Sequence, residues 1–243
     1  MMRLTDTIKH LLIINVILFI APQLFQIDLT NVLALHFPKN QHFGFWQYVT
    51  HMFMHGGFGH ILFNMYGLWA FGTPLEQMWG RNKFIFFYFS AGIGAGLIYT
   101  LVNYYHFNGF YQELISHGLS DGDIQSILTT GLYTDFANMI TLTEEQLYKF
   151  YNLYHTPAVG ASGAIYGVLV AFGLYFKDAK LALIFLPIPI AAKYFIPAII
   201  LIDVFFGMTK YSIGNIAHFA HIGGAIIGFI VAYYWKTNQF KMR

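Results

Sequence analysis

The chain contains no cysteine. That excludes disulfide bonds, thiolate-held metals and a cysteine nucleophile. Charge is nearly as scarce, at 10% of the 243 residues, against 57% hydrophobic residues. A soluble domain carries about 25% charged residues, so this chain could not cover the outside of a water-soluble fold. Its solvent is a lipid bilayer. The formal net charge is only +2, and no basic run has the length needed to track a phosphate backbone, so no nucleic-acid partner is expected. There is no His-Glu-x-x-His pair for zinc, and no metal or cofactor is expected. Gly92, Gly94 and Gly96 lie inside an apolar run and so form no phosphate loop. Gly160-Ala161-Ser162-Gly163-Ala164 departs from the Gly-x-Ser-x-Gly elbow at its last position and follows no strand.

What the chain does have is apolar length. Six segments, at roughly 10–27, 57–74, 83–105, 159–176, 193–209 and 215–235, each approach the ~20 residues of a membrane span. The first has no small-residue cleavage site behind it and reads as an anchor. A shorter apolar run at 181–190 is broken by Pro187 and Pro189 and is expected to be an interfacial or re-entrant connection. With the N-terminus inside, ten Lys and Arg residues fall in inner segments and three (Lys39, Lys149 and Lys210) in outer loops, as the positive-inside bias requires. A seventh span through 181–190 would move Lys236, Lys241 and Arg243 outside. The expectation is a single all-α integral membrane domain over residues 1–243, with six spans and both termini in the cytoplasm. Two outer loops stand out. Residues 28–56 are aromatic and apolar, with Leu33, Phe45 and Trp46 among them, and should lie at the membrane interface. Residues 106–157 form a polar helical insertion between spans three and four. It has helical spacing at Tyr111, Leu114 and Ile115 and again over Leu147–Tyr154, and Thr141-Leu142-Thr143-Glu144 reads as a capping box before the second helix.

Polar groups inside spans are costly and by default mark function. Here they are His60 with Asn64, Ser162 and His221, each near the outer start of an inward-running span and so at one depth. Taken singly, each has a structural explanation: Ser162 as packing, His221 as a satisfied bundle histidine, Asn64 as interhelical glue. Together they have complementary roles in acyl transfer. A serine nucleophile needs a base within about 2.6–3.2 Å, and Gly163/Gly167 and Gly224/Gly228 are small-xxx-small pairs that would let the two helices close to that range. Gly160 and Gly163 flank Ser162 and leave its amide open. His60 and Asn64, four residues apart, share a helix face and with the Ser162 amide could form an oxyanion hole. Tyr166, one turn beyond Ser162, is placed to pack on the His221 ring. Asp203 falls within span five, at what reads as a different depth, so a Ser162–His221 dyad is expected. His218 is a rival base nearer the interface. His51 and His55 should hold the outer loop through local hydrogen bonds, and Glu76 with Arg81 should serve structure, as a cap or an ion pair.

These residues resemble the rhomboid intramembrane serine proteases. The likeness rests on Gly160-Ala161-Ser162-Gly163 with Tyr166-Gly167, and on His51, His55 and His60-Ile61-Leu62-Phe63-Asn64. It rests also on His221-x-x-Gly224-x-x-x-Gly228, and on Gly72, Leu75-Glu76, Gly80-Arg81, Phe84 and Tyr88 around the turn between spans two and three. The resemblance implies a six-helix rhomboid-like bundle in a bacterial plasma membrane, with Ser162 as nucleophile, His221 as base and His60, Asn64 and the Ser162 amide as oxyanion donors. It also implies single-pass transmembrane proteins as substrates, cut near their outer ends. The alternative is a catalytically silent rhomboid-like protein that binds membrane clients. A transporter would show two related halves with broken helices, and no such repeat is present.

Overall fold

The computed structural model describes residues 3–131, 143–183, 186–208 and 217–238. The chain is mostly helical. Helix α1 (Asp6–Phe25) leads into a long loop that carries two short helices, α2 (Thr30–Leu33) and α3 (Gln47–Thr50), and a 3₁₀ turn at His51–Phe53. A second column follows, made of α4 (Phe58–Gly67), a π turn at Leu68–Gly72 and α5 (Thr73–Trp79). The third column is α6 (Arg81–Ser116), and the insertion adds α7 (Asp121–Thr130) and α8 (Glu144–His155). Then come α9 (Ser162–Tyr175), strands β1 (Lys180–Leu183) and β2 (Leu186–Ala191), α10 (Ala192–Met208) and α11 (His218–Asn238).

Apolar character runs all round these helices, and burial sorts them. In α9, nine of 14 residues are buried, from Gly163 to Phe172, so it is the central helix. In α1 only Thr7, Ile8, Leu11 and Asn15 are buried, while Ile13, Ile17, Ile20 and Leu24 face outward. Outward aliphatic side chains of this density are suited to lipid. Among the described residues, α1, α6 and α11 are long and apolar enough to cross a membrane, and α9 is a shorter apolar helix. The other two columns fall short for physical reasons: the second is interrupted by its π turn, and α10 has 17 residues.

Helix α6 has 36 residues, about 54 Å at 1.5 Å per residue, well beyond a ~30 Å hydrocarbon layer. Its final turns enter the insertion, where Phe107 and Leu114 join Ile124, Ile127, Leu147 and Phe150 in a hydrophobic cluster separate from the main core. Phe37 of the first long loop also belongs to this cluster, which docks the insertion on that loop. Helix α7, capped by Ser120 and Asp123, has no counterpart among the helices expected from the sequence. Helix α8 is capped by a Thr143/Gln146 box, and Thr141 and Leu142 of the expected capping sequence lie outside the described residues. The described residues of the 181–190 run belong to two antiparallel strands, with Lys180 opposite Ala191 and Leu181 opposite Ile190. A hairpin satisfies backbone groups where two prolines forbid a helix.

At the end of the bundle opposite Ser162, the buried Glu76 carboxylate caps α1 from a different helix. It accepts from the Thr7 amide at 3.1 Å, the Ile8 amide at 3.1 Å and the Thr5 hydroxyl. These amides have no partner within α1, and a negative charge there opposes the helix dipole favourably. Of the two structural roles expected for Glu76, the cap is the one observed. Glu76→Gln keeps the shape and removes the charge. It is expected to cost about 1–2 kcal/mol, read as a lower thermal unfolding midpoint in detergent.

Candidate active site

Helix α9 begins at Ser162 because the residues before it are held by the first long loop. Leu35 and Ala158 exchange backbone hydrogen bonds of 2.9 and 2.8 Å, and the Gly160 amide donates to the His51 carbonyl at 2.9 Å. Gly160 has φ of +125°, a region that side chains resist. A Cβ there would also stand 2.8 Å from His60 Nε2 and 3.5 Å from Ser162 Oγ. The turn therefore admits only glycine and sets the His60 ring beside the serine.

From that start α9 crosses α11 with backbone against backbone. A Cβ on Gly224 would overlap the Gly163 carbonyl, one on Gly228 would overlap Gly167, and one on Gly167 would stand 3.0 Å from the Gly224 carbonyl. The crossing brings His221 Nε2 to 2.8 Å from Ser162 Oγ, a direct hydrogen bond. Tyr166 stacks on the His221 ring, with centroids 4.3 Å apart and planes within 10°.

The second column supplies donors. Asn64 is buried, and its Nδ2 makes no hydrogen bond among the described residues. An orphaned buried amide is expensive and calls for a partner. The Gly56 amide lies 3.4 Å from His60 Nδ1, so that nitrogen is the acceptor and Nε2 carries the ring hydrogen. The Ser162 amide is in the first turn of α9, where no intrahelical acceptor exists. A cavity of about 1860 Å³ opens on Ser162, His221, His60, Asn64 and Tyr166 and extends to Asn152 of the insertion.

One residue stands where the sequence reading had not put it. Asp203 of α10 is buried, and its Oδ1 lies 3.2 Å from His221 Nδ1 and 2.6 Å from His218 Nδ1. The Tyr166 hydroxyl donates to Oδ2. The separation in depth that excluded Asp203 is overturned: counting from facing helix ends, it lies level with His221. His218 is turned to Asp203 and makes no hydrogen bond to Ser162. Asp203, His218 and His221 also form the one His/Asp group among the described residues compact enough for an ion, with ligand atoms within 4.8 Å. Both Nδ1 atoms and both carboxylate oxygens are already engaged within the hydrogen-bonded network.

In the loop, His51 Nδ1 donates to the Gln47 carbonyl at 2.7 Å. His55 instead packs edge-on to His60 with centroids 5.1 Å apart, and its buried ring nitrogens make no hydrogen bond of good geometry among the described residues. The local hydrogen bond expected of the pair is therefore made by His51.

A hydrogen-bonded serine and histidine beside unpaired donors, gathered in a helical bundle with an apolar exterior, describe an integral membrane protein with a polar centre. The Rhomboid domain model matches residues 42–237, and the chain belongs to the rhomboid family. Rhomboid protease AarA of Providencia stuartii is 26% identical over 235 residues, covering 94% of this chain and 65% of that protein. Rhomboid protease GluP of Bacillus subtilis is 28% identical over 187 residues, covering 77% and 25%. The mitochondrial presenilin-associated rhomboid-like protein of Homo sapiens is 27% identical over 193 residues, covering 77% and 38%. The chain thus spans between a quarter and two-thirds of the length of these relatives.

Two stability predictions follow from this geometry. Gly224→Ala must push α9 and α11 apart and is expected to cost about 1–3 kcal/mol or more, visible as a lower unfolding midpoint. Burial pushes the His51 ring down from 6.5 to about 4, so it is neutral in the folded protein at pH 7. As pH falls below about 6.5 the unfolded state takes up the proton first. The stability is thus complete above pH 6.5 and is lost progressively towards pH 4, on the order of 2–3 kcal/mol. Unfolding midpoints at pH 7.5 and 4.5 should show the drop, and His51→Asn should reduce it.

Proposed function

We propose that the chain is an intramembrane serine endopeptidase acting on single-pass transmembrane proteins near the outer end of their spans. The observation that carries this reading is the 2.8 Å contact of Ser162 Oγ with His221 Nε2 beside the orphaned Asn64 amide. His221 Nε2 takes the serine proton as Oγ attacks the substrate carbonyl. The charge that develops on the carbonyl oxygen is met by the Ser162 amide, Asn64 Nδ2 and His60 Nε2–H, donors fixed before the reaction begins. His221 then returns the proton to the leaving amine, and water, activated by the same ring, releases the acyl group from Ser162. Tyr166 holds the ring plane, and Gly160, Gly163, Gly224 and Gly228 make the close approach possible.

The architecture that goes with this activity has six spans: α1, the α4–π–α5 column, α6, α9, α10 and α11. Both termini lie in the cytoplasm, and Ser162 opens towards the outer face. The 14 residues of α9 extend about 21 Å, short of a ~30 Å hydrocarbon layer. Its first residue can therefore lie below the surface and still be reached by water through the cavity. The first long loop is interfacial, with Phe45 and Trp46 exposed for the headgroup region. We place the protein in a bacterial plasma membrane, in line with the bacterial relative that covers 94% of this chain.

Purified protein in liposomes, given a panel of model transmembrane substrates, is expected to cleave at least one of them and to be labelled by a fluorophosphonate at Ser162. Ser162→Ala should abolish both, and Asn64→Ala should lower kcat by roughly 10²–10³-fold. Undiminished cleavage by Ser162→Ala would sink the assignment. Stable binding of the panel without cleavage or labelling would support a client-binding role in its place.

A further inference from the structure

Asp203 is the polar residue whose position the proposed chemistry leaves unused. On α10 the buried residues are Ala192, Ile196 and Asp203, so in the half of that helix nearest Ser162 the one buried residue carries a carboxylate. Its two oxygens are held from three directions: by Tyr166 of α9 on Oδ2, and by His218 and His221 of α11 on Oδ1.

We propose that Asp203 is a positioning residue that extends Ser162–His221 into a serine–histidine–aspartate relay. The inference rests on the protease reading above. A neutral imidazole has one N–H and one bare nitrogen. Ser162 can give its proton to Nε2 only if the ring hydrogen sits on Nδ1. A carboxylate oxygen can only accept, so Oδ1 at 3.2 Å from Nδ1 selects that tautomer. When Nε2 takes up the serine proton, the imidazolium finds the negative charge already beside it, and Asp203 itself stays ionised. The carboxylate is in turn kept from rotating: the Tyr166 hydroxyl pins Oδ2, and His218 Nδ1, at 2.6 Å, pins Oδ1. His218 thereby acts through Asp203 and not as a second base. Tyr166 has two tasks, stacking on His221 with its ring and anchoring Asp203 with its hydroxyl.

The test compares wild type, Asp203→Asn, Asp203→Glu, His218→Gln and Ser162→Ala in liposomes. It reads kcat and KM on a cleaved transmembrane substrate, the fluorophosphonate labelling rate and the thermal unfolding midpoint. Asparagine is nearly isosteric but can offer its amide N–H to the ring and so favour the wrong tautomer. Asp203→Asn is expected to lower kcat and the labelling rate by roughly 10²–10⁴-fold, with KM within about threefold of wild type. The unfolding midpoint should not account for that loss. Asp203→Glu, which restores the carboxylate, should recover at least about tenfold over Asn. His218→Gln should lose less than Asp203→Asn, since it removes only a clamp. Retention of kcat within threefold by Asp203→Asn overturns the inference. So does a loss that tracks a lowered midpoint and is no better in Glu than in Asn. If Ser162→Ala abolishes cleavage while Asp203→Asn does not impair it, the relay fails and the protease reading stands. If Ser162→Ala cleaves like wild type, both fall.

Discussion

The site depends on two helices touching through their backbones. At the crossing of α9 and α11 there is no room for a single methyl group, since a Cβ on Gly224 would meet the Gly163 carbonyl. In lipid, apolar side chains gain little from leaving the solvent, so close van der Waals contact is what holds such helices. The same contact sets the distance between the Ser162 hydroxyl and the His221 ring, which hang from adjacent turns of the two helices. Packing and geometry of the site are therefore one constraint, and it accounts for glycine at four positions where alanine would form a better helix.

The remaining parts are brought to that crossing by the first long loop. It stitches the chain before α9 at Leu35–Ala158 and at His51–Gly160, which decides where the helix starts and so which amide is left free. It also gives Phe37 to the core of the insertion. The loop is thus a strut between the central helix and the domain's added cap. A neutral, buried His51 is part of that strut.

Much of this was legible in the sequence, because lipid makes polar residues conspicuous. His60, Asn64, Ser162 and His221 stand out in apolar runs, and the structure brings all four to one cavity. The glycine spacing announces a crossing because nothing else explains two such pairs beside two such groups. What did not show was the register between helices that run in opposite directions. Asp203 lies five residues from the Met208 end of α10, and His221 three from the His218 start of α11, so the two are level although the sequence suggests otherwise. The hairpin at 180–191 was hidden as well, because a short apolar run with two prolines fits several backbone solutions. Helix α7 was hidden by its brevity, its cap at Ser120 lying among polar residues typical of a loop.

The unbroken length of α6 has a mechanical side. The insertion is not attached at this point by a flexible joint, since the helix that packs against α9 and α11 runs on to Ser116 and carries the cap at its tip. With about 54 Å of continuous helix, α6 is a lever whose long arm lies in the bundle and whose short arm lies under the cap at Phe107 and Leu114. A tilt of the helix in the bundle is passed rigidly to the cap, and a load on the cap is returned to the helices that hold the serine and the histidine.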